Sequence, residues 1–126
     1  MILYQMKRFK YLRIEKTSMI GQSAFLELVG DTPFTRLLDF FITGRNFDYT
    51  LTDLARKAGV SWTTLNRIFP KLVERNMVVM VRQVGMAKLY KLNMGNILVL
   101  KMVELYNAVL AEKLNVARNK AVTVKV

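Results

Sequence analysis

Two short amphipathic segments joined by a tight turn constrain the fold of this chain more than any other feature of its sequence. Apolar residues recur at helical spacing in residues 51–58 and again in residues 62–72, which predicts two helices with one buried face each. Only Gly59, Val60 and Ser61 separate them; the glycine ends the first helix and the serine caps the second. Two helices joined by so short a turn form a helix-turn-helix unit.

Further helices and a hairpin are predicted on either side of this unit. A Thr-Pro pair at residues 32 and 33 opens a repeat of apolar residues at helical spacing, which predicts an earlier helix. After the unit, the composition changes to apolar and β-branched residues interrupted by a turn at Gly85, which predicts a β-hairpin with a basic tip. Asn96 is placed to cap a last long helix. The predicted ranges are 32–44 for the earlier helix, 77–84 and 89–92 for the strands, and about 97–118 for the last helix.

The residue types that the chain lacks exclude several functions. Its 126 residues include no cysteine and no histidine, which excludes disulfides, thiol chemistry, the usual zinc sites and histidine-based catalysis. The nine acidic residues are spread out, and no two of them have a spacing that suggests a site. We therefore expect neither an enzyme nor a cofactor. Because no apolar run approaches the ~20 residues of a membrane span and the N-terminus lacks the pattern of a signal sequence, we expect a cytoplasmic protein.

The excess of positive charge is the strongest compositional signal. The formal net charge is +11, and residues 61–93 hold six basic residues against one acidic residue. The basic excess thus coincides with the second helix of the helix-turn-helix unit and with the hairpin. A charge of this size favours a polyanionic partner, either a nucleic acid or an anionic membrane surface. The alternative is that the charge serves only solubility.

The order of helix, helix-turn-helix unit and basic hairpin resembles that of the winged helix-turn-helix regulators of bacteria and archaea, of the broad MarR/ArsR-like kind. Among these, the chain resembles the small archaeal regulators most. The resemblance covers about residues 24–115. It rests on GDTPFTRLLDFF at 30–41, DYTLTDLARKAGVSWTTLNRIFPKL at 48–72 and RQVGMAKLYKLN at 82–93. It implies a mainly α fold with a small β-hairpin, the wing, and a transcriptional regulator that binds double-stranded DNA, with repression as the expected effect. The chain lacks the cysteine and histidine ligands of the metal-sensing members, and it offers no evident small-molecule site.

In such a fold the second helix of the unit, the recognition helix, lies in the major groove, and residues near its N-terminus reach base edges. The expected DNA contacts on this helix are Ser61, Trp62, Thr63, Thr64, Asn66, Arg67 and Lys71. Arginine can form two hydrogen bonds to guanine, and asparagine can form two to adenine. Alternatively, Arg67 could bind a phosphate, and Asn66 could form a hydrogen bond with its own backbone. The hydroxyl groups could contact phosphate or cap the helix. Trp62 could lie against the sugar-phosphate backbone or pack sideways over the preceding turn.

The hairpin offers a second set of cations. We expect Arg82, Lys88 and Lys91 to contact phosphates or the minor groove, which is the role of the wing in the resembling fold. Alternatively, these charges only protect an exposed strand edge.

The last predicted helix is apolar around most of its circumference, so one partner surface is not enough to cover it. We expect a homodimer through this helix, with help from residues 19–30. The expected interface residues are Leu98, Met102, Leu105, Tyr106 and Val109. The alternative is that residues 1–30 fold back and cover the second face within one chain. A dimer would place two recognition helices roughly 34 Å apart, on an inverted-repeat site.

These predictions divide the chain into a basic N-terminal extension at 1–23, a winged helix-turn-helix DNA-binding domain at 24–96, a dimerisation helix at 97–118 and a tail at 119–126. The extension could be a DNA-binding arm, an element that packs on the dimer, or a stretch upstream of a true start at Met6 or Met19. We expect a sequence-specific, homodimeric DNA-binding regulator with no membrane partner. Two alternatives stay open: a non-specific architectural or chromatin protein, and a winged-helix module that binds other proteins.

Overall fold

Five helices and one β-hairpin make up the part of the chain that the structure describes. The structure is a computed structural model, which describes the backbone of residues 23–125 and the side chains of residues 23–116. The elements are α1 (Ala24–Val29), α2 (Pro33–Thr43), α3 (Leu51–Ala58), α4 (Trp62–Glu74), β1 (Val78–Val84), β2 (Ala87–Leu92) and α5 (Ile97–Lys125). This order confirms the predicted fold class, a mainly helical winged helix-turn-helix with a two-stranded sheet and a long C-terminal helix.

Side-chain caps define the starts of three helices, as the sequence predicts. The hydroxyl groups of Thr32, Thr50 and Ser61 each accept a hydrogen bond from the backbone N–H three residues further on. These bonds satisfy donors that have no partner inside the helix. Gly59 ends α3 in the left-handed conformation, with φ of 69°, where a side chain would be strained. The turn between α3 and α4 is therefore fixed by local chemistry.

The hairpin is tighter than the sequence predicts. Val84 pairs with Ala87, so the turn holds two residues and β2 begins before residue 89. The positive φ of 61° at Gly85 permits this short connection. At the base of the hairpin, Tyr49 and Tyr90 exchange two backbone hydrogen bonds of 2.8 Å. They fix the short extended piece before α3 beside the hairpin.

The inward faces of α2, α3 and α4, the base of the hairpin and the start of α5 meet in one core. Tyr90 on β2 sets its ring edge against Phe69 of α4, with the ring centroids 4.8 Å apart. The hairpin is therefore packed directly on α4. The largest fully buried side chains of the core are Leu37, Phe41, Ile42, Leu54, Leu65, Leu72, Val78 and Val99.

Helix α5 extends further than the sequence predicts. It runs to Lys125, whereas we expected an end near residue 118 and a separate tail. No glycine or proline occurs after residue 95, so nothing in the sequence interrupts the helix earlier. None of the described helices is long and apolar enough to cross a membrane. The predicted basic extension lies outside the described residues, apart from Ser23, which caps α1.

Helix α1 packs against α5. The rings of Phe25 and Tyr106 have centroids 5.7 Å apart, and Lys113 Nζ lies 2.8 Å from Glu27 Oε2. One face of α5 is thus covered by a segment that precedes residue 30. This is part of the arrangement that we considered as the alternative to a dimer.

Candidate nucleic-acid interface

The outward face of α4 carries most of the side chains predicted to contact DNA. Burial of Leu65, Ile68 and Leu72 orients the helix. At about 3.6 residues per turn, Thr63 and Arg67 lie near the middle of the opposite side. Both are exposed. A single surface of α4 therefore brings together a hydroxyl group and a guanidinium group within the first two turns of the helix.

Two of the predicted contacts belong to the helix cap. Ser61 Oγ accepts a hydrogen bond from the backbone N–H of Thr64 at 3.2 Å and donates one to Thr64 Oγ1 at 2.9 Å. Thr64 is half-buried, whereas Thr63 is exposed. The structure thus gives Ser61 and Thr64 the capping role that was one of their two predicted roles. Thr63 is the more accessible hydroxyl group at this end of α4.

Asn66 bonds to the backbone of its own helix. Its Nδ2 donates to the carbonyl oxygen of Trp62 at 2.8 Å. Bidentate recognition of adenine needs the amide nitrogen and the amide oxygen together. The bond to Trp62 uses one N–H of the Asn66 amide, so the second N–H and the amide oxygen can meet a base only in the orientation that this bond holds. Trp62 lies on the same flank of the helix and leaves 53% of its surface exposed.

Three cations, two on α4 and one directly after its last residue, have no counter-ion among the described residues. Arg67, Lys71 and Arg75 are exposed, and none of them forms an ion pair within the described part of the chain. Their spacing of four residues places them in one row. The row borders an apolar groove of about 550 Å³ between α2, α4 and α5. Arg75 was not among the predicted contacts, although its spacing from Lys71 would have indicated it.

The three predicted cations of the wing lie in different environments. Lys88 is exposed beside the turn, and Lys91 is half-buried nearer the base. Arg82 holds the carboxylate of Asp48 in a bidentate pair, with Nε–Oδ2 at 2.6 Å and Nη2–Oδ1 at 3.1 Å. Lys88 is therefore the cation of this set that is both exposed and unpaired among the described residues. Asp48, whose role the sequence did not indicate, ties the wing to the segment before α3.

The pairing fixes the charge of Asp48. The hydrogen bond from Arg82 holds the pKa of the Asp48 carboxyl below its ordinary value; partial desolvation opposes this shift, and the charges of Arg82 and Lys91 support it. A depressed pKa means that the pair contributes stability above the pKa of the unfolded chain. This contribution is lost as the pH falls through the folded-state pKa. At neutral pH the Asp48 carboxylate is charged and its ion pair with Arg82 is formed.

The described residues contain no group of three or more His, Cys, Asp or Glu side chains placed to hold a metal ion. The chemistry of the site is that of exposed cations, the exposed hydroxyl group of Thr63 and exposed apolar side chains, among them Trp62 on α4 and Val84 and Met86 on the wing. Such a surface can bind a polyanion, since cations neutralise phosphates and apolar side chains contact sugars and bases.

No protein-family model and no curated protein matches this chain in sequence. Solved structures do match it. MepR, a transcription regulator of the Staphylococcus aureus multidrug efflux pump MepA, has a TM-score of 0.56 at 13% identity, over 75% of this chain and 68% of its own. The adhesin competence repressor AdcR of Streptococcus pyogenes has a TM-score of 0.54 at 16% identity, over 83% of this chain and 78% of its own. ZitR of Lactococcus lactis, solved in complex with DNA, has a TM-score of 0.51 at 16% identity, over 68% of this chain and 60% of its own.

This chain has the MarR-type winged-helix fold. In that fold α4 is the second helix of the helix-turn-helix unit and the β1–β2 hairpin is the wing. The structural neighbours are winged-helix transcription regulators. The fold thus agrees with the resemblance that the sequence motifs indicated.

Three residues predicted at a dimer interface have contacts within the chain. Tyr106 packs on Phe25, and its hydroxyl group is 2.8 Å from that of Thr43. Met102 packs against the core, and Val109 lies beside α1. These side chains are at least half-covered without a second copy of the chain.

The other two predicted interface residues, Leu98 and Leu105, remain uncovered by the described part of the chain. They are 49% and 40% exposed, respectively. Because they are seven residues apart, they lie on one side of α5. Val116, with 48% of its surface exposed, lies on the same side further along α5, where it lines a groove beside α1 together with Val109.

Proposed function

We propose that this protein is a transcriptional regulator that binds double-stranded DNA sequence-specifically as a homodimer, with repression as its effect. Helix α4 enters the major groove, and the wing lies on the phosphate backbone or in the minor groove. The observation that carries the proposal is the row of exposed cations on α4, Arg67, Lys71 and Arg75. Each lacks a counter-ion among the described residues.

The distribution of ion pairs supports DNA as the partner. Several acidic residues of the described part neutralise cations away from α4, as in the pairs Arg36–Asp31, Arg56–Asp53 and Lys113–Glu27. The positive charge of α4 is left unneutralised apart from the nearby carboxylate of Glu74. A cationic row on the second helix of a helix-turn-helix unit is suited to the phosphates that line the major groove. The regulators of similar fold, one of them solved with DNA, support the same partner.

The apolar edge of α5 that the described residues leave uncovered supports a homodimer. Leu98 and Leu105 expose apolar surface on a helix that already has α1 on another face. Large apolar side chains left exposed along one side of a helix indicate an interaction site. A two-fold pairing of α5 helices would present two recognition helices to successive major grooves, roughly 34 Å apart.

Selection of bound duplexes from a random pool tests this proposal. A dimeric regulator enriches an inverted repeat with half-sites about ten base pairs apart. Enrichment of a single half-site would support sequence-specific binding and contradict binding as a dimer. A bound fraction with the composition of the starting pool would contradict sequence-specific binding.

A non-specific double-stranded DNA-binding protein is the second candidate, and one observation favours it. Asn66 is bonded to the backbone, and Ser61 and Thr64 are engaged in the cap. The accessible polar groups of α4 are then mainly cations, which can hold phosphates without reading bases. The same cations disfavour a module that binds other proteins, because acidic residues on this helix would be the distinguishing feature of such a module.

Lys88 is predicted to contact phosphate. Lys88→Ala should weaken binding to every duplex alike and reduce the slope of log affinity against log salt by about one, because one fewer counter-ion is released. Anisotropy titrations of a labelled duplex at several salt concentrations measure this slope. Lys101→Ala, which removes the same charge from α5, is the control. If Lys88→Ala leaves the slope of log affinity against log salt unchanged, Lys88 does not contact the DNA.

Arg82 is predicted to act on binding through the position of the wing. Arg82→Ala and Asp48→Ala should each weaken DNA binding by a similar factor, about two- to five-fold, because either change frees the hairpin. The same anisotropy titration measures both variants. If Arg82 is instead a phosphate contact, Asp48→Ala will release its guanidinium and strengthen binding.

A further inference from the structure

The apex of the wing is a two-residue turn of defined geometry. Val84 pairs with Ala87, so Gly85 and Met86 alone form the connection. Gly85 has a positive φ of 61°, and Met86 does not have a positive φ. This is the pattern of a type II′ turn, which takes glycine at its first central position and matches the twist of the strands. The turn holds Met86 at the narrow end of the hairpin.

Met86 is the most exposed large apolar side chain of the described residues, at 94%. Val84 beside it is 57% exposed, and Ala87 is exposed as well. Isolated apolar residues on a surface are ordinary, but here they form the whole tip of an element two strands wide. Methionine is unbranched and polarisable, and it adapts to irregular apolar surfaces.

The hairpin is braced below its tip, at Arg82 and at Tyr90, whereas the side chains of the tip itself are exposed. The bidentate pair of Arg82 with Asp48 ties β1 to the segment before α3. The ring of Tyr90 packs on Phe69 of α4. At the other end, Gln83 Nε2 donates to the carbonyl oxygen of Gly85 at 3.1 Å and supports the turn. A recognition helix seated in the major groove therefore carries the tip of the wing to a fixed place on the duplex.

The charges near the apex leave the tip apolar. The charge of Arg82 is neutralised by Asp48, and Lys91 lies nearer the base. Lys88 alone stands exposed directly beside the turn. A phosphate-binding tip would be expected to end in cations, whereas this tip ends in a thioether with one cation beside it. That arrangement fits a groove with anionic walls and an apolar stack of bases beneath them.

We propose that Met86 is a wedge that enters the minor groove next to the recognition helix, partly unstacks one base step and bends the duplex. The inference rests on the proposed DNA binding and adds a mechanical role to the wing. Apolar side chains, methionine among them, insert between base steps in proteins that bend DNA from the minor groove. Lys88 binds a phosphate at the rim of the minor groove, and the side chain of Met86 is buried against the bases. Because the flexible pyrimidine–purine steps are the easiest to unstack, the wing prefers such a step at a fixed distance from the bases that face α4.

The test compares Met86→Ala, Met86→Leu and Lys88→Ala with the wild type on a duplex of about 30 base pairs taken from the selected pool. Fluorescence energy transfer between the duplex ends reports bending, and anisotropy reports affinity at low and near-physiological salt. The wild type should shorten the end-to-end distance. The Met86→Ala variant should bend the duplex less than the wild type does. Its affinity should fall roughly ten-fold at both salt concentrations, because burial of an apolar side chain does not release counter-ions. Met86→Leu should retain the bend, and Lys88→Ala should retain it while losing affinity in a salt-dependent manner.

The possible failures are distinguishable. Met86 is almost fully exposed, so its replacement leaves the fold intact, and a thermal melt of the variant verifies this. A wild-type protein that binds the duplex without bending it, or a Met86→Ala variant that bends it equally, overturns the wedge and leaves the proposed function standing. A wild-type protein that binds no duplex overturns the proposed function, and the wedge with it.

Discussion

Leu105→Asp is expected to convert the protein from a dimer to a monomer at micromolar concentration. Leu105 is 40% exposed on the edge of α5 that the described residues leave uncovered, in line with Leu98. A carboxylate at this position would be desolvated without a partner in an apolar contact, which opposes association strongly. Affinity for an inverted-repeat duplex should fall about a hundred-fold, because each half-site would then be bound independently. Sedimentation velocity and anisotropy measure the two effects.

Asn107→Asp is the matched control for this change. It adds the same charge to the same helix at an exposed position away from the apolar edge, and it should leave both the dimer and the affinity unchanged. A Leu105→Asp protein that remains a dimer would locate the interface elsewhere, for example on the outer side of α1. A wild-type protein that is itself a monomer would contradict the proposed homodimer.

Arg67→Ala is expected to weaken binding to the selected duplex by about 1–3 kcal/mol and to relax the base preference at one position of each half-site. Arg67 lies near the middle of the outward face of α4 and has no counter-ion among the described residues. A bidentate contact with guanine is lost completely when the guanidinium is removed. Repeating the selection with the variant protein measures the base preference, and anisotropy measures the loss of affinity.

Lys101→Ala controls for the removal of one positive charge, because Lys101 lies on α5 beside Glu104. It should leave the base preference unchanged. If Arg67→Ala weakens binding to selected and scrambled duplexes equally, Arg67 is a phosphate contact. The base preference would then have to come from Thr63, Asn66 or Trp62.

The parts of the fold that depend on neighbouring residues could be predicted from the sequence. Thr32, Thr50 and Ser61 cap the helices that begin after them, because capping involves residues only three positions apart. The apolar repeats likewise identify the buried faces of α2, α3 and α4, since burial follows the period of the helix. The exposed positions of Thr63 and Arg67 follow directly from that burial.

Contacts between distant residues could not be predicted in the same way. Arg82 and Asp48 are 34 residues apart, and only the packing of the wing beside the segment before α3 brings them together. The sequence therefore indicated Arg82 as a DNA contact and gave no sign of Asp48. The cover that α1 gives to Tyr106 has the same cause. Met86 was predicted only as part of a turn, because its exposure at the apex depends on how short the turn is.

The most direct test of sequence-specific binding is an anisotropy titration of the selected duplex and of a scrambled duplex of the same composition, at low and at near-physiological salt. We predict that the selected duplex is bound more tightly at both salt concentrations, and that the preference increases as salt weakens the phosphate contacts common to both duplexes. Equal binding of the two duplexes that disappears on addition of salt would contradict base reading by α4. The protein would then be a non-specific DNA-binding protein.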